Sequence, residues 1–219
     1  MIPSNWEALW LTRNGDTCIV IGNGPSLKDV PLAFLYRYQS FGSNRIYLLD
    51  CFSPTFYACV NPLVLDQFAG EIEKIDSIAK FIREGYDIPG AFHLHSNALP
   101  SFSLVPWSGV YEGFTVTYVM LQLAFFLGYQ TVLLVGVDHR FEVSGSPNQE
   151  VVSVGYDSNH FSRKYFSDGT KWNLPDLEQS ARSYAMAKTV FDNAGRKIVN
   201  LTPNTALDVF EKGELKEYL

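Results

Sequence analysis

The turn Gly22-Asn23-Gly24-Pro25-Ser26 follows directly on the apolar run Cys18-Ile19-Val20-Ile21 and leads into Leu27-Lys28-Asp29. A strand, a glycine-rich turn and a helix start form an anion site in many α/β proteins. Glycines let the backbone approach the ligand, and the N–H groups of the first helical turn face its negative charge. Ser26 with Asp29 three residues on is a helix-start signal of the capping-box type. The spacing is neither a Walker sequence nor the dinucleotide fingerprint. The turn therefore reads as a nucleotide or other anion site, or as a tight connection that binds nothing. Asp157-x-x-His160 is the second candidate, in a polar stretch with Tyr156, Phe161, Tyr165, Phe166 and Trp172. An imidazole can take a hydroxyl proton during nucleophilic attack near neutral pH. The plainer alternative is a loop pinned by its aromatics, with His160 capping a backbone group. His93-x-His95 would share one strand face and offer two metal ligands. No Cys or carboxylate close in sequence completes the set, so the pair reads as a strand-end feature facing the cleft or solvent. No metal site is expected.

The elements that position these residues alternate between strand and helix. After the strand Cys18–Ile21, the apolar runs Ile46–Leu49 and Phe56–Val60 predict two more. Leu65, Phe68, Ile72, Ile75, Ile78 and Phe81 at helical spacing predict a helix over Val64–Arg83. Ala91–Leu94 reads as a strand, Thr115–Leu127 as a helix closed by Gly128, and Thr131–Val137 as a β-branched strand. From His139 to Leu174 no periodicity is sustained, and a loop of that length is expected to be functional. Pro175–Ala194 then predicts a helix closed by Gly195, Ile198–Leu201 a strand, and the last residues a terminal helix. Alternating strands and helices predict an α/β Rossmann-like three-layer sandwich around a mostly parallel sheet. Its ligand cleft belongs at the carboxyl ends of the strands. The whole chain, 1–219, reads as one domain, with 139–174 as a lid or acceptor segment.

At 219 residues the chain is below the size at which single cores divide. Its net charge is −6 and it has no basic tract, which argues against nucleic-acid binding. No charge occurs between Glu112 and Asp138, a span long enough to cross a bilayer. A buried helix feeding a buried parallel strand gives the same hydropathy, so no membrane span is expected. Three cysteines, an odd number in apolar surroundings, indicate a reducing compartment. With no secretory signal at the start, the expected location is cytoplasmic. A homo-oligomer is left open.

The string Ile21-Gly22-Asn23-Gly24-Pro25-Ser26-Leu27-Lys28 resembles the bacterial sialyltransferases that use CMP-sialic acid, and their relatives in surface-glycan and flagellin-glycosylation clusters. The resemblance continues at Ser43-Asn44-Arg45, at Asn61-Pro62, and from Thr115 through Gly128-Tyr129 into Val135-Gly136-Val137-Asp138. It ends at Asn159-His160-Phe161 and Tyr165. Archaeal 6-hydroxymethylpterin diphosphokinases are similar over the first and fourth of these landmarks.

The resemblance implies a donor site made of Gly22, Asn23, Gly24, Pro25, Ser26, Asn44, Asn61, Thr115, Thr117 and Asp138. It implies His160 as general base on the acceptor hydroxyl, with Asp157, Asn159 and Tyr165 on the lid and acceptor side. Where the family has two tyrosines that stabilise the departing phosphate, this chain has His139-Arg140-Phe141, and Arg140 brings a permanent cation with paired donors. The expected function is a glycosyltransferase using a nucleotide-activated sugar, of the CMP-nonulosonic-acid type, in surface glycan synthesis. Its partners would be the nucleotide sugar and a glycan or glycoprotein acceptor, with no cofactor required. The alternatives are a pterin-type diphosphokinase using Mg·ATP, with Asp50 and Asp138 as its strand-end carboxylates, and a non-catalytic nucleotide-binding module.

Overall fold

A computed structural model of the chain describes residues 2–142 and 144–219; Met1, and Val143 within the expected lid, lie outside the described residues. In chain order the elements begin with α1 (Ser4–Trp10), β1 (Thr17–Ile21), α2 (Leu32–Leu35), β2 (Gln39–Ser43), β3 (Phe56–Cys59) and α3 (Pro62–Glu73). They continue with β4 (Ala79–Arg83), β5 (Phe92–Leu94), β6 (Ser96–Asn97), β7 (Val110–Tyr111), α4 (Val116–Phe126) and β8 (Thr131–Val135). The chain closes with β9 (Glu150–Val152), β10 (Lys171–Asn173), α5 (Leu177–Asn193), β11 (Lys197–Asn200) and β12 (Glu211–Lys212).

Eight strands form one sheet in the order β12-β11-β8-β1-β2-β3-β4-β5. Every pairing in it is parallel, and β1 runs beside β8 in register from Thr17 opposite Thr131 to Ile21 opposite Val135. Both faces of the central strands are buried, which is why they read as unbroken apolar runs. Side chains alternate between the two faces. Cys18, Val20, Val132 and Leu134 pack with residues of α1, α4 and α5, whereas Ile19, Ile21, Leu133 and Val135 pack with residues of α2 and α3. The molecule is thus an α/β sandwich of three layers, as the alternation of elements predicts. Eight residues of α4 are buried and Gly128 closes the helix in the left-handed region at φ 89°. Burial on all sides accounts for the uncharged stretch, and no helix among the described residues is long and apolar enough to cross a membrane.

Four local expectations are corrected. The predicted helix Val64–Arg83 stops at Glu73, and the chain re-enters the sheet as β4 at Ala79. Ile75, Ile78 and Phe81 fall on helical spacing by coincidence, and Ile78, between the two elements, is 57% exposed. The predicted strand Ile46–Leu49 is a 3-10 turn, Ile46–Leu48; its place in the sheet is taken by Gln39–Ser43, whose small and polar residues hide a strand that is nonetheless buried. The end of the chain forms β12 and a 3-10 turn, Leu215–Tyr218, in place of a helix. Within 139–174, the strands β9 and β10 pair antiparallel, so the segment has a hairpin of its own.

Candidate active site

Strand order reverses between β1 and β8, and a cleft of about 840 Å³ opens at the carboxyl ends of the strands around that point. Ligands of open α/β sheets bind in the crevice at such a switch point. Gly22, Asn23, Gly24, Asn44, Asn61, Thr115, Thr117, Asp138, Arg140, Asn159, His160 and Tyr165 all line it. Of the residues expected at the site, Pro25, Ser26 and Asp157 lie behind this wall.

The glycine turn is built by the two strand ends. Gly22 N–H donates to the Val135 carbonyl and Gly24 N–H to the Gly136 carbonyl, each at 2.8 Å. Ser26 donates its hydroxyl to Asp138 Oδ2 at 2.8 Å and its N–H to the same carboxylate at 3.3 Å. The predicted helix start is a 3-10 turn, Pro25–Asp29, entered from Gly24, and Ser26 is not its cap. A Cβ on Gly24 would collide with the Asp138 carboxylate, and one on Gly22 with the Gly136 carbonyl. The glycines are therefore required by the approach of β1 to β8. Asp138 holds the N–H and hydroxyl of Ser26 that an incoming anion would use.

Three asparagines line the adjoining wall. Asn23 donates its amide to Ser43 Oγ at 3.1 Å, while its Oδ1 is buried with no partner among the described residues. A buried acceptor in a cleft wall takes its donor from water or from a ligand. Asn44 takes a left-handed conformation, φ 50°, which asparagine tolerates, and Tyr57 donates its hydroxyl to the Asn44 carbonyl at 2.7 Å. Asn61 caps α3 through the Leu63 N–H at 2.9 Å, leaving its amide for the cleft. Across from them Thr115 caps α4 through the Thr117 N–H at 3.3 Å. Arg140 is exposed at the rim, with no hydrogen-bond or ion-pair partner among the described residues.

The polar segment supplies a dyad. Asp157 Oδ2 lies 2.7 Å from His160 Nδ1, with side-chain exposures of 4% and 10%. Asp157 also accepts the Asn159 N–H at 2.8 Å and the Phe166 N–H at 3.0 Å, so three donors fix the carboxylate. The imidazole stacks on Tyr165 at 4.0 Å between centroids and 5° between planes, with Phe141, Phe166 and Trp172 around its edge. A proton on Nδ1 leaves Nε2 as an acceptor. Asn159 ties this turn to the rim by accepting the Glu142 N–H at 2.6 Å. The segment also docks on the glycine turn, because Phe161 N–H donates to the Asn23 carbonyl at 3.0 Å.

Such an arrangement can bind a polar ligand at the strand ends and move a proton at Nε2. No family model, curated protein or solved structure matches the chain.

Several residues of the site carry no sequence signal. Arg45 is buried without a carboxylate partner among the described residues. It donates to the Lys164 carbonyl at 2.9 Å and to the Tyr165 carbonyl, and its guanidinium lies 3.9 Å over the Phe68 ring. Arg83 and Glu112, 29 residues apart, form an ion pair in the cleft wall, and Glu112 also accepts the Ser96 hydroxyl. His139 lines the cleft at φ 53° beside Tyr184; burial lowers its pKa, and a backbone hydrogen bond at Leu177 partly offsets this. Burial likewise pushes the Tyr165 and Tyr184 phenols up, and the Cys59 thiol up to about 12. His95 pairs at 2.6 Å with Glu84 in solvent, so the His93/His95 pair stays outside the cleft. Asp50 is outside the cleft as well. Asp138 is engaged by Ser26, so neither carboxylate considered for magnesium stands free in the cleft. Among the described residues no three His, Cys, Asp or Glu side chains cluster as metal ligands would.

Proposed function

We propose that the chain is a glycosyltransferase that uses a nucleotide-activated sugar, of the CMP-nonulosonic-acid type, with His160 as general base. The single observation that carries His160 as base is its 2.7 Å contact with Asp157 in the wall of a cleft at the sheet's switch point. The CMP-nonulosonic-acid donor is what the resemblance of residues 21–28 to the sialyltransferases implies. Asp157 fixes Nδ1 of a histidine that lines the cleft, which is the arrangement a general base requires. Asp157 keeps the proton on Nδ1, and Nε2 takes the proton of an acceptor hydroxyl. The hydroxyl oxygen attacks the anomeric carbon, the bond from that carbon to the phosphate oxygen breaks, and CMP leaves with the electron pair. Arg140, the cation at the rim, offsets the charge that develops on the departing phosphate. With Ser26 occupied by Asp138, the phosphate belongs on the Arg140 side of the cleft rather than in the glycine turn.

The test is CMP release from CMP-N-acetylneuraminic acid by the wild-type chain and His160→Gln, with acceptor glycans and with water alone. Loss of the base is expected to lower turnover by about 10²–10⁴-fold with little change in donor affinity. His160 is stacked among aromatics, so rates are normalised to the folded fraction. Equal turnover of the two folded proteins would sink the mechanism. Magnesium-dependent turnover of ATP without any on the CMP sugar would replace the transferase by the diphosphokinase.

A further inference from the structure

The wall opposite His160 carries an aromatic side chain that the fold itself does not use. Tyr165 and Phe166, which frame the dyad, pack on the Ile19/Ile21 face of the sheet, whereas the residues of α4 pack on the Cys18/Val20 face. Phe114 immediately precedes the Thr115 cap of α4 and lines the cleft. It is 51% exposed, belongs to neither core cluster, and has no aromatic partner among the described residues. Its backbone is left-handed, φ 62°. The other non-glycine residues in that region are Asn44, Cys51, His139, Asn148 and Asn204 among those described, so Phe114 is the one bulky apolar side chain there. That conformation is unfavourable for such a residue, and sparsely populated backbone of this kind concentrates at binding sites.

Neighbouring residues maintain the posture. Gly113 is also left-handed at φ 59°, and a Cβ on it would strike the Tyr118 ring. The turn is closed by the Thr115 N–H to the Glu112 carbonyl at 3.1 Å. Two successive left-handed residues therefore lift the Phe114 ring out of the core and into the cleft. Leu99, 78% exposed, lines the same cleft, and so does the Arg83–Glu112 pair, which offers donors and an acceptor.

We infer that Phe114 is a stacking platform for a planar heterocycle, the nucleobase of the bound nucleotide. An aromatic face accepts any base, and donor and acceptor groups beside it can read the base's edge. Because the reacting sugar must lie at His160, the base belongs on the far wall. This assignment rests on the glycosyltransferase reading of the same cleft, but it can fail separately.

Calorimetric titration of the full chain with CMP, UMP, AMP, GMP and ribose 5-phosphate separates the two. Phe114→Ala is expected to weaken the preferred nucleotide by about tenfold or more, as loss of one base stack does, and to change ribose 5-phosphate binding less than about twofold. Phe114→Asn suits the left-handed backbone and must behave like Phe114→Ala, which shows that the loss is not one of folding. Phe114→Trp should keep the affinity and add nucleotide-dependent fluorescence quenching beyond that of the wild type, whose Trp172 also lines the cleft. Nucleotide affinity unchanged in Phe114→Ala would remove the platform and leave the nucleotide site standing. Equal losses for nucleotide and ribose 5-phosphate would likewise overturn the stacking role. A wild-type chain that binds none of the four nucleotides would remove both.

Discussion

Asp157→Asn keeps the shape of the residue and removes its charge, so the orientation of His160 can be tested without emptying the site. The carboxylate accepts Asn159 N–H through Oδ1, and Phe166 N–H and His160 Nδ1 through Oδ2. An amide has one acceptor oxygen. If that oxygen takes the Oδ2 place, the new NH₂ faces the Asn159 N–H, donor against donor. Two charge-assisted bonds become neutral, at about 1 kcal/mol each, and one buried donor goes unsatisfied, at about 1–3 kcal/mol. The sum is about 3–5 kcal/mol, or a Tm lower by about 10 °C for a chain of this size. If the amide turns over, the Phe166 N–H is left unsatisfied, and His160 must move its proton to Nε2 to accept from the new NH₂. Either orientation weakens the preference for the Nδ1-protonated tautomer.

Nitrogen NMR of histidine-labelled protein reads this directly, since the chain has only four histidines and His160→Gln assigns one of them. The wild type should show Nδ1 protonated and Nε2 free. Asp157→Asn should show a shifted or mixed population, a lower Tm, and CMP release reduced by about 10²-fold or more, since a mispositioned base forfeits part of its 10²–10⁴-fold contribution. An unchanged tautomer with a Tm within about 2 °C of wild type would refute the argument that Asp157 holds His160, because in a chain of this size such a shift amounts to under about 1 kcal/mol.

Two further outcomes follow from groups outside the dyad. Burial lowers the His139 pKa, so below about pH 6.5 the unfolded chain binds a proton that the folded chain refuses, and stability falls on acidification through that window. His139→Asn fits the left-handed backbone and should flatten the slope of Tm between about pH 7 and 5; an identical slope would show that other groups set it. Arg45→Met removes the donors to the Lys164 and Tyr165 carbonyls, so amide exchange should rise across residues 157–166 while the central strands stay protected. Unchanged exchange there would mean that the aromatic contacts alone hold the segment.

What the sequence reveals of the fold divides by burial. β1, β8, α4 and β11 are apolar on every side that meets the core, so composition alone marks them. β2 is as deeply buried as they are, yet Gln39-Ser40-Phe41-Gly42-Ser43 carries few apolar side chains, because the space beside it is already filled. A Cβ on Gly42 would come within 2.9 Å of the Pro54 ring, which explains the small residue there. β4 is hidden differently. Its apolar residues continue the period of α3, and only the short link 74–78, itself carrying Ile75 and Ile78, separates the two elements. Periodicity reports which residues face inward, but it does not report where the backbone changes conformation.

The site divides in the same manner. Asp157 and His160 are three residues apart, so a local pattern exposes them, whereas Arg83 and Glu112 meet only because the end of β4 and the residue after β7 converge. The glycine turn gives the clearest case of a signal with two causes. Gly22 and Gly24 have the spacing of a phosphate cradle, but the carbonyl of Gly136 and the carboxylate of Asp138 occupy the space their side chains would need. A carboxylate already bound to Ser26 also repels an anion at that spot. The same glycines therefore bring β1 and β8 together, and Arg140, exposed at the rim of the cleft, is a cation left for a donor phosphate. On the proposed transferase reading, a donor phosphate held by Arg140 has its sugar in the cleft that His160 also lines, as transfer to an acceptor hydroxyl requires.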